Sequence, residues 1–203
     1  LGEDGDDLSA HLRSRREVEH ILCTSAPTTA LRAAIVVGDG GISWEILRQL
    51  VERLPVMLTP RWVETRTQPI ALGDALTCLV GVLGRHEAIG RAYDIGGLDV
   101  TTYRDMLVTV ARLIGRRRLI VPVPLLTPRL SSHWLDLVTD VDLITARSLV
   151  DSLSNEVVVR EHHIESILGS SAEPYRPLAF SDAAAAALAT RERRLRSTTH
   201  APA

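Results

Sequence analysis

His11, Arg15 and Glu19 recur at intervals of four along the segment LSAHLRSRREVEHIL. On a helix that spacing puts all three side chains on one face, one turn apart. Imidazole has an ordinary pKa of about 6.5 and exchanges a proton near neutrality. Arg15 stays charged, favours the neutral form of His11 by like-charge repulsion, and has the donors to hold a ribose hydroxyl or a phosphate. The plainer alternative is an outward-facing surface on which Arg15 pairs with Glu19 at helical spacing.

Other polar residues carry less. Asp74 falls in the first turn of an expected helix, where a carboxylate meets the helix dipole favourably. His133 and Trp134 stand out in a chain so poor in aromatics and are candidates to line a substrate pocket, although a tryptophan there is more often a packing anchor. His162, His163 and Glu165 form no metal-ligand set, because adjacent residues on a helix point in different directions; no metal is expected. The arginine clusters at 116–118 and 191–196 read as solvated.

These side chains need a framework. Ser9 is a good N-cap for a helix running to about Ser25, with Pro27 beyond it. Leu31–Val37, LRAAIVV, is a continuous apolar run that fits a parallel strand covered on both faces. Gly38-Asp39-Gly40-Gly41 is a turn, with Ser43 capping a helix through Leu54. Gln68–Leu72 reads as a strand, Gly73–Leu83 as a helix, and Arg91–Ile95 as a strand stopped by Gly96-Gly97. Thr101 or Thr102 caps a helix to about Ile114, ended by Gly115. Pro122, Pro124 and Pro128 exclude a helix interior or a central strand from LIVPVPLLTP. Helices are expected near Ser131–Val138 and Asp142–Leu149, a strand at Val157–Val159, and an Ala-rich helix from Ser181 to about Arg196. The alternation of strand and helix up to residue 115 argues for an α/β sheet. Residues 1–115 are expected to form its core, 116–196 a mostly helical lobe, and 197–203 a tail.

Composition narrows the chemistry. Apolar residues make up 45% of the 203, enough for a core, and only 3% are aromatic, so Leu, Val, Ile and Ala should fill it. All 23 basic residues are arginines, which excludes a Schiff-base lysine and a P-loop lysine. A net charge of -2 gives no nucleic-acid surface. Cys23 and Cys78 have no metal-type spacing and are expected as free thiols in a reducing cytosol. There is no run of about 18 apolar residues and no signal-peptide pattern, so no membrane span is expected and the location is expected to be cytoplasmic.

Arg66 to Gly97, RTQPIALGDALTCLVGVLGRHEAIGRAYDIGG, resembles the downstream half of an extended or atypical short-chain dehydrogenase/reductase. There a Gln-Pro-hydrophobic strand leads into a small-Asp-Ala helix and then a strand ending in Gly-Gly. TTALRAAIVVGDGG resembles the family's hydrophobic-Arg-Pro strand, and His11 and Arg15 fall where standard members carry Tyr and Lys. The resemblance extends to about Leu188 and is nearest to the NmrA-like and complex-I-accessory-like branch. It implies a partial Rossmann-type, doubly wound parallel sheet with a helical substrate-side lobe, and NAD or NADP as cofactor. It implies His11 and Arg15 as catalytic candidates; Arg15, Ala33, Ala34 and Ile35 as cofactor contacts; and Arg66, Gln68, His133 and Trp134 around the substrate.

The family's Gly-rich pyrophosphate turn has no counterpart here, since GDGG is not a G-x-G-x-x-G fingerprint. The chain is therefore expected to be the back half of an oxidoreductase acting on a small carbonyl or alcohol. It should bind NAD(P)H weakly or not at all by itself, and it should self-associate, or join an N-terminal-half partner, through an open sheet edge. The alternatives are a non-catalytic dinucleotide-binding module, which the loss of the Tyr-Lys pair favours, and an inactive truncated product.

Overall fold

The computed structural model describes residues 8–123, 152–160, 163–168 and 175–199. Helix α1 (Ala10–Ser25) starts where its cap dictates: Ser9 Oγ accepts from the Leu12 N–H at 3.3 Å. A second tie holds this end, with Ser9 N–H donating to Asn155 Oδ1 at 3.2 Å and its hydroxyl 3.0 Å from that of Ser152.

The apolar run after α1 is two strands, not the single one expected. β1 (Ala30–Ala33) pairs in parallel with β6 (Ala92–Ile95), and β2 (Val36–Val37) pairs in parallel with β5 (Ile70–Ala71). The chain bends at Ala34-Ile35 to change partners, and the Ile35 carbonyl accepts from Ile70 N–H at 2.9 Å. Hydrophobicity reports burial on both faces but not which neighbour is paired, so a partner switch leaves no mark in the sequence.

Helix α2 (Ile42–Arg53) is capped by Gly41, without a side-chain bond, and not by Ser43. β3 (Val56–Thr59) pairs in parallel with β8 (Leu119–Pro122), so the proline-bearing segment is a strand of a two-stranded ladder. Pro122 sits at its last position, where a missing N–H is tolerated. β4 (Arg66–Thr67) runs antiparallel to β7 (Thr101–Thr102), and Thr67 also bridges Val157. The strand expected over Gln68–Leu72 is therefore only the two residues of β5, because helix α3 (Leu72–Val82) begins at once. Helix α4 (Tyr103–Leu113) has the expected Thr102 cap, whose hydroxyl accepts from Asp105 N–H at 3.1 Å, and Gly115 leaves it with φ of +66°. Short helix α5 (His163–Leu168) and long helix α6 (Phe180–Thr199) complete the described elements. The helices expected near 131–138 and 142–149 lie outside the described residues.

Two cores hold this together. The larger packs α2 and α4 with β3, β8 and α6 through Trp44, Leu47, Val51, Met57, Met106, Val110, Ile120 and Ala184. The smaller sets α3 and α5 on β5 and β6 through Ile70, Ala75, Cys78, Tyr93, Ile95 and Ile164. Aliphatic residues dominate both, as the composition requires, yet four of the few aromatics, Trp44, Tyr93, Tyr103 and Phe180, are buried as well. Burial pushes the Tyr103 phenol up to about 12, and its ring meets Trp62 edge-on at 6.0 Å.

Gly96 and Gly97 do more than stop a strand. A Cβ at Gly97 would lie 2.3 Å from the Pro69 carbonyl oxygen, and one at Gly96 2.8 Å from Cδ of Gln68. Gly97→Ala must push backbone against backbone, and we expect a loss of roughly 1–3 kcal/mol, the usual scale of overpacking. Thermal melts of the two proteins measure it; an unchanged midpoint would mean the contact is loose.

Candidate functional site

α1 lies across β1, and the two enclose a cleft of about 400 Å³. His11, Arg15, Arg16 and Glu19 line it from the helix and Thr28 to Ala33 from the strand, with Leu12, Val18 and Leu22 as apolar lining. The spacing of four thus brings His11 and Arg15 to one cavity. His11 is half-buried, and its pKa is lowered, first by loss of solvent and then by the charge of Arg15. The imidazole is neutral at pH 7 and competent to accept a proton.

Arg15 does not pair with Glu19. Arg32, in the middle of β1, takes that carboxylate instead: its Nε and Nη2 donate to the two oxygens at 2.8 and 2.5 Å. Arg16 stands 4.0 Å from the same group. These guanidinium groups hold the Glu19 carboxyl below its usual range, the Arg32 hydrogen bonds most of all. Arg15 is exposed and makes no hydrogen bond or ion pair among the described residues, so its charge faces the cleft unspent. The importance of Arg32 was not drawn from the sequence, although an arginine inside LRAAIVV is the signal that marks it.

The other anticipated residues separate. Ala33 lines the cleft at the carboxyl end of β1; Ala34 and Ile35 form the bend that follows. Gln68 is buried elsewhere. Its amide nitrogen donates to the Gly97 carbonyl at 2.7 Å, and its amide oxygen accepts from Val159 N–H at 3.0 Å. That side chain staples three chain segments with both polar ends engaged. Arg66 is exposed, 3.6 Å from Glu156. Asp74 sits in the first turn of α3 but caps nothing in it; its carboxylate accepts from Leu178 N–H at 2.8 Å. His133 and Trp134 lie outside the described residues.

A second cavity, of about 370 Å³, lies between α3, β6 and the segment around Tyr175, with Gln68 in its wall. There the Cys78 thiol donates to the Tyr175 hydroxyl at 3.5 Å. Burial raises the pKa of both groups, so both are neutral at pH 7. Both cysteines are free. Among the described residues no cluster of His, Cys, Asp and Glu could hold a metal, and no helix is long and apolar enough to cross a membrane.

A nicotinamide dinucleotide needs two things from a protein: donors for its pyrophosphate and a cleft for its reactive ring. The Gly38–Gly41 turn does not supply the first. Gly41 N–H is used on the Gly38 carbonyl at 3.1 Å, and Leu72 stands so close that a Cβ at Gly38 would lie 2.8 Å from its Cβ. The Asp39 carboxylate, bonded to Arg194, adds negative charge there. For the second, the α1–β1 cleft offers an exposed guanidinium and a neutral imidazole along a parallel strand, and it reaches that strand's carboxyl end at Ala33, the side where ligands gather in α/β sheets.

No family model matches this chain, and no curated protein matches it in sequence. Solved structures do. dTDP-glucose 4,6-dehydratase from Bacillus anthracis str. Ames, in complex with NAD, superposes with a TM-score of 0.65 at 12% identity, over 97% of this chain and 58% of its own. RMD from Pseudomonas aeruginosa, complexed with NADPH, gives 0.59 at 12% identity over 90% and 55%. The Citrobacter sp. triphenylmethane reductase, complexed with NADP(H), gives 0.58 at 16% identity over 87% and 57%. The chain has the α/β fold of part of these dinucleotide-bound enzymes, and it spans a little over half the length of each.

Proposed function

We propose that this chain is the substrate-side half of an atypical short-chain dehydrogenase/reductase that oxidises or reduces a small alcohol or carbonyl with NAD(P). The observation that carries the reading is the α1–β1 cleft, where His11 and Arg15 share one wall and Ala33 closes the strand end. A bound nicotinamide would accept or give the hydride. The chain's own part is the proton and the placement. In the oxidation direction neutral His11 takes the hydroxyl proton; in reduction its protonated form returns it to the carbonyl oxygen. Arg15 holds a ribose hydroxyl or a phosphate by charge-assisted bonds. Arg66, His133 and Trp134 remain the candidates for contact with the substrate, and Gln68 acts by bracing Gly97 and Val159.

The pyrophosphate site belongs to a preceding nucleotide-binding half, on the same polypeptide or a partner, and the chain by itself binds the dinucleotide weakly. Support for this comes from the sheet. Among the described residues β1 pairs only with β6, so its other edge is open. Exposed apolar residues are present on both neighbouring helices: Ile21 on α1, and Leu72, Leu76 and Leu79 on α3, with Leu83 at its C-cap. An added parallel strand with helices over it would cover all three features at once. The setting is the cytoplasm, in keeping with two free thiols.

A second reading, a dinucleotide-binding module without catalysis, is favoured by the replacement of Tyr and Lys by His11 and Arg15. Nicotinamide absorbance separates the two. With the polypeptide of the whole reading frame and a panel of small alcohols, aldehydes and enones, turnover supports the enzyme. Tight binding of the dinucleotide with no turnover on any of them supports the module.

A further inference from the structure

We propose that Arg32 is a positioning residue, and that its clasp on Glu19 sets the pose of the helix face that presents His11 and Arg15 to the cleft. The inference rests on the functional reading above for its purpose, but its geometry stands alone. α1 has no fully buried residue. Side-chain burial therefore does little to fix its rotation on the sheet, in contrast to α2 and α4, whose apolar faces enter the larger core. Among the described residues, the contacts that tie α1 to the rest are polar, and they include those of Ser9 with Asn155 and Ser152 at its first turn and the two-pronged Arg32–Glu19 bond farther along. His11, Arg15 and Glu19 share a face, so fixing Glu19 fixes the angle at which the other two are shown.

Arg32 is itself held on both sides. Its backbone is in register opposite Asp94 on β6, and its Nη1 lies 3.9 Å from the Asp94 carboxylate. That carboxylate also accepts from Arg160 N–H at 3.4 Å. The guanidinium thus links the helix, its own strand and the next strand. A planar fork gripping both carboxylate oxygens resists rotation in a way that a single ammonium contact does not.

The test reads His11 directly and needs no substrate. Arg32→Met and Glu19→Gln are each made in the 203-residue chain, and the His11 ring is titrated by nuclear magnetic resonance. Its signal is assigned by its loss in His11→Gln. The charged groups around the ring are Arg15, Arg16 and Glu19 on α1 and Arg32 on β1. If the clasp sets the pose, both substitutions free the helix, the ring regains solvent, and its midpoint moves up toward the ordinary value of about 6.5 in each. Electrostatics alone gives opposite signs: loss of the Arg32 cation raises the midpoint, and loss of the Glu19 anion, about 12 Å along the axis, lowers it slightly. A downward or absent shift in Glu19→Gln overturns the proposal, whatever its partner does.

Amide hydrogen exchange supplies the second readout. Faster exchange across α1 with unchanged protection in α3 and β6 is expected for both variants and for the double variant, with no further loss in the double. Equal protection of α1 in all four proteins overturns the proposal even where a histidine signal is too broad to follow. If the clasp is confirmed while no dinucleotide-linked activity is ever found, the functional reading fails and the positioning role stands. If activity is found and α1 is unmoved by either substitution, the positioning role fails alone.

Discussion

His11→Ala, made in a polypeptide that also carries the nucleotide-binding half, should lower kcat by about a hundredfold to ten-thousandfold, the usual worth of a positioned acid or base. Dinucleotide affinity should change little, because the imidazole handles the proton and Arg15 handles the cofactor. Arg15→Ala should do the reverse in kind, weakening dinucleotide binding and raising KM. The pH profile gives a further signature. Burial and the neighbouring Arg15 lower the His11 pKa from 6.5. In the oxidation direction the neutral ring is the active form, so kcat/KM should hold at neutral pH and fall as acidity passes below 6.5. His11→Ala should remove that limb. Steady-state kinetics across pH check it; an acid limb that survives the substitution assigns the proton to another group.

The second large effect concerns the open side of the sheet. Leu76 and Leu79 on α3 and Leu83 at its C-cap are 51%, 50% and 74% exposed in this chain. With Leu72, 44% exposed, they form a row at helical spacing that is only partly covered among the described residues. Replacing all three by glutamine should leave the melting of the 203-residue chain nearly unchanged, since exposed substitutions seldom exceed about 0.5 kcal/mol, and should reduce its self-association in light scattering. In the longer polypeptide the same row is proposed to be core. There each replacement should cost at least the roughly 2–5 kcal/mol of cutting a buried leucine to alanine, because the amide is also buried. Equal, small effects in both proteins would show that the stripe faces solvent in either case.

Much of this was legible in the sequence because it is local. Ser9 and Thr102 mark helix starts by cap chemistry, Gly115 marks an end, and the spacing of His11 and Arg15 places them together without any tertiary knowledge. What was hidden is non-local. Whether LRAAIVV is one strand or two depends on which strand it meets, and β5 and β6 lie far along the chain. Glu19 has an arginine four residues before it and another thirteen after; helical spacing favours Arg15, and the fork geometry of Arg32 across the α1–β1 contact wins. Gln68 carries the marks of a cleft residue, a polar amide beside a proline at a strand start. Its partners, Gly97 and Val159, are distant in sequence, so its bracing role emerges only in three dimensions. The same holds for Trp44 and Phe180, whose scarcity gave no hint that they would be core.

The central claim is that this chain supplies the proton-transfer and substrate side of a nicotinamide-dependent site and lacks the side that grips the pyrophosphate. Calorimetric titration of NADH and NADPH into two proteins tests it most directly: the 203-residue chain alone, and the longer protein in which it is joined to its nucleotide-binding half, whether by one polypeptide or as a complex with a partner. The account predicts a dissociation constant in the micromolar range for the longer protein with at least one of the two dinucleotides, and no saturable binding to the shorter. Micromolar binding by the 203-residue chain alone, or none by the longer protein, would contradict it.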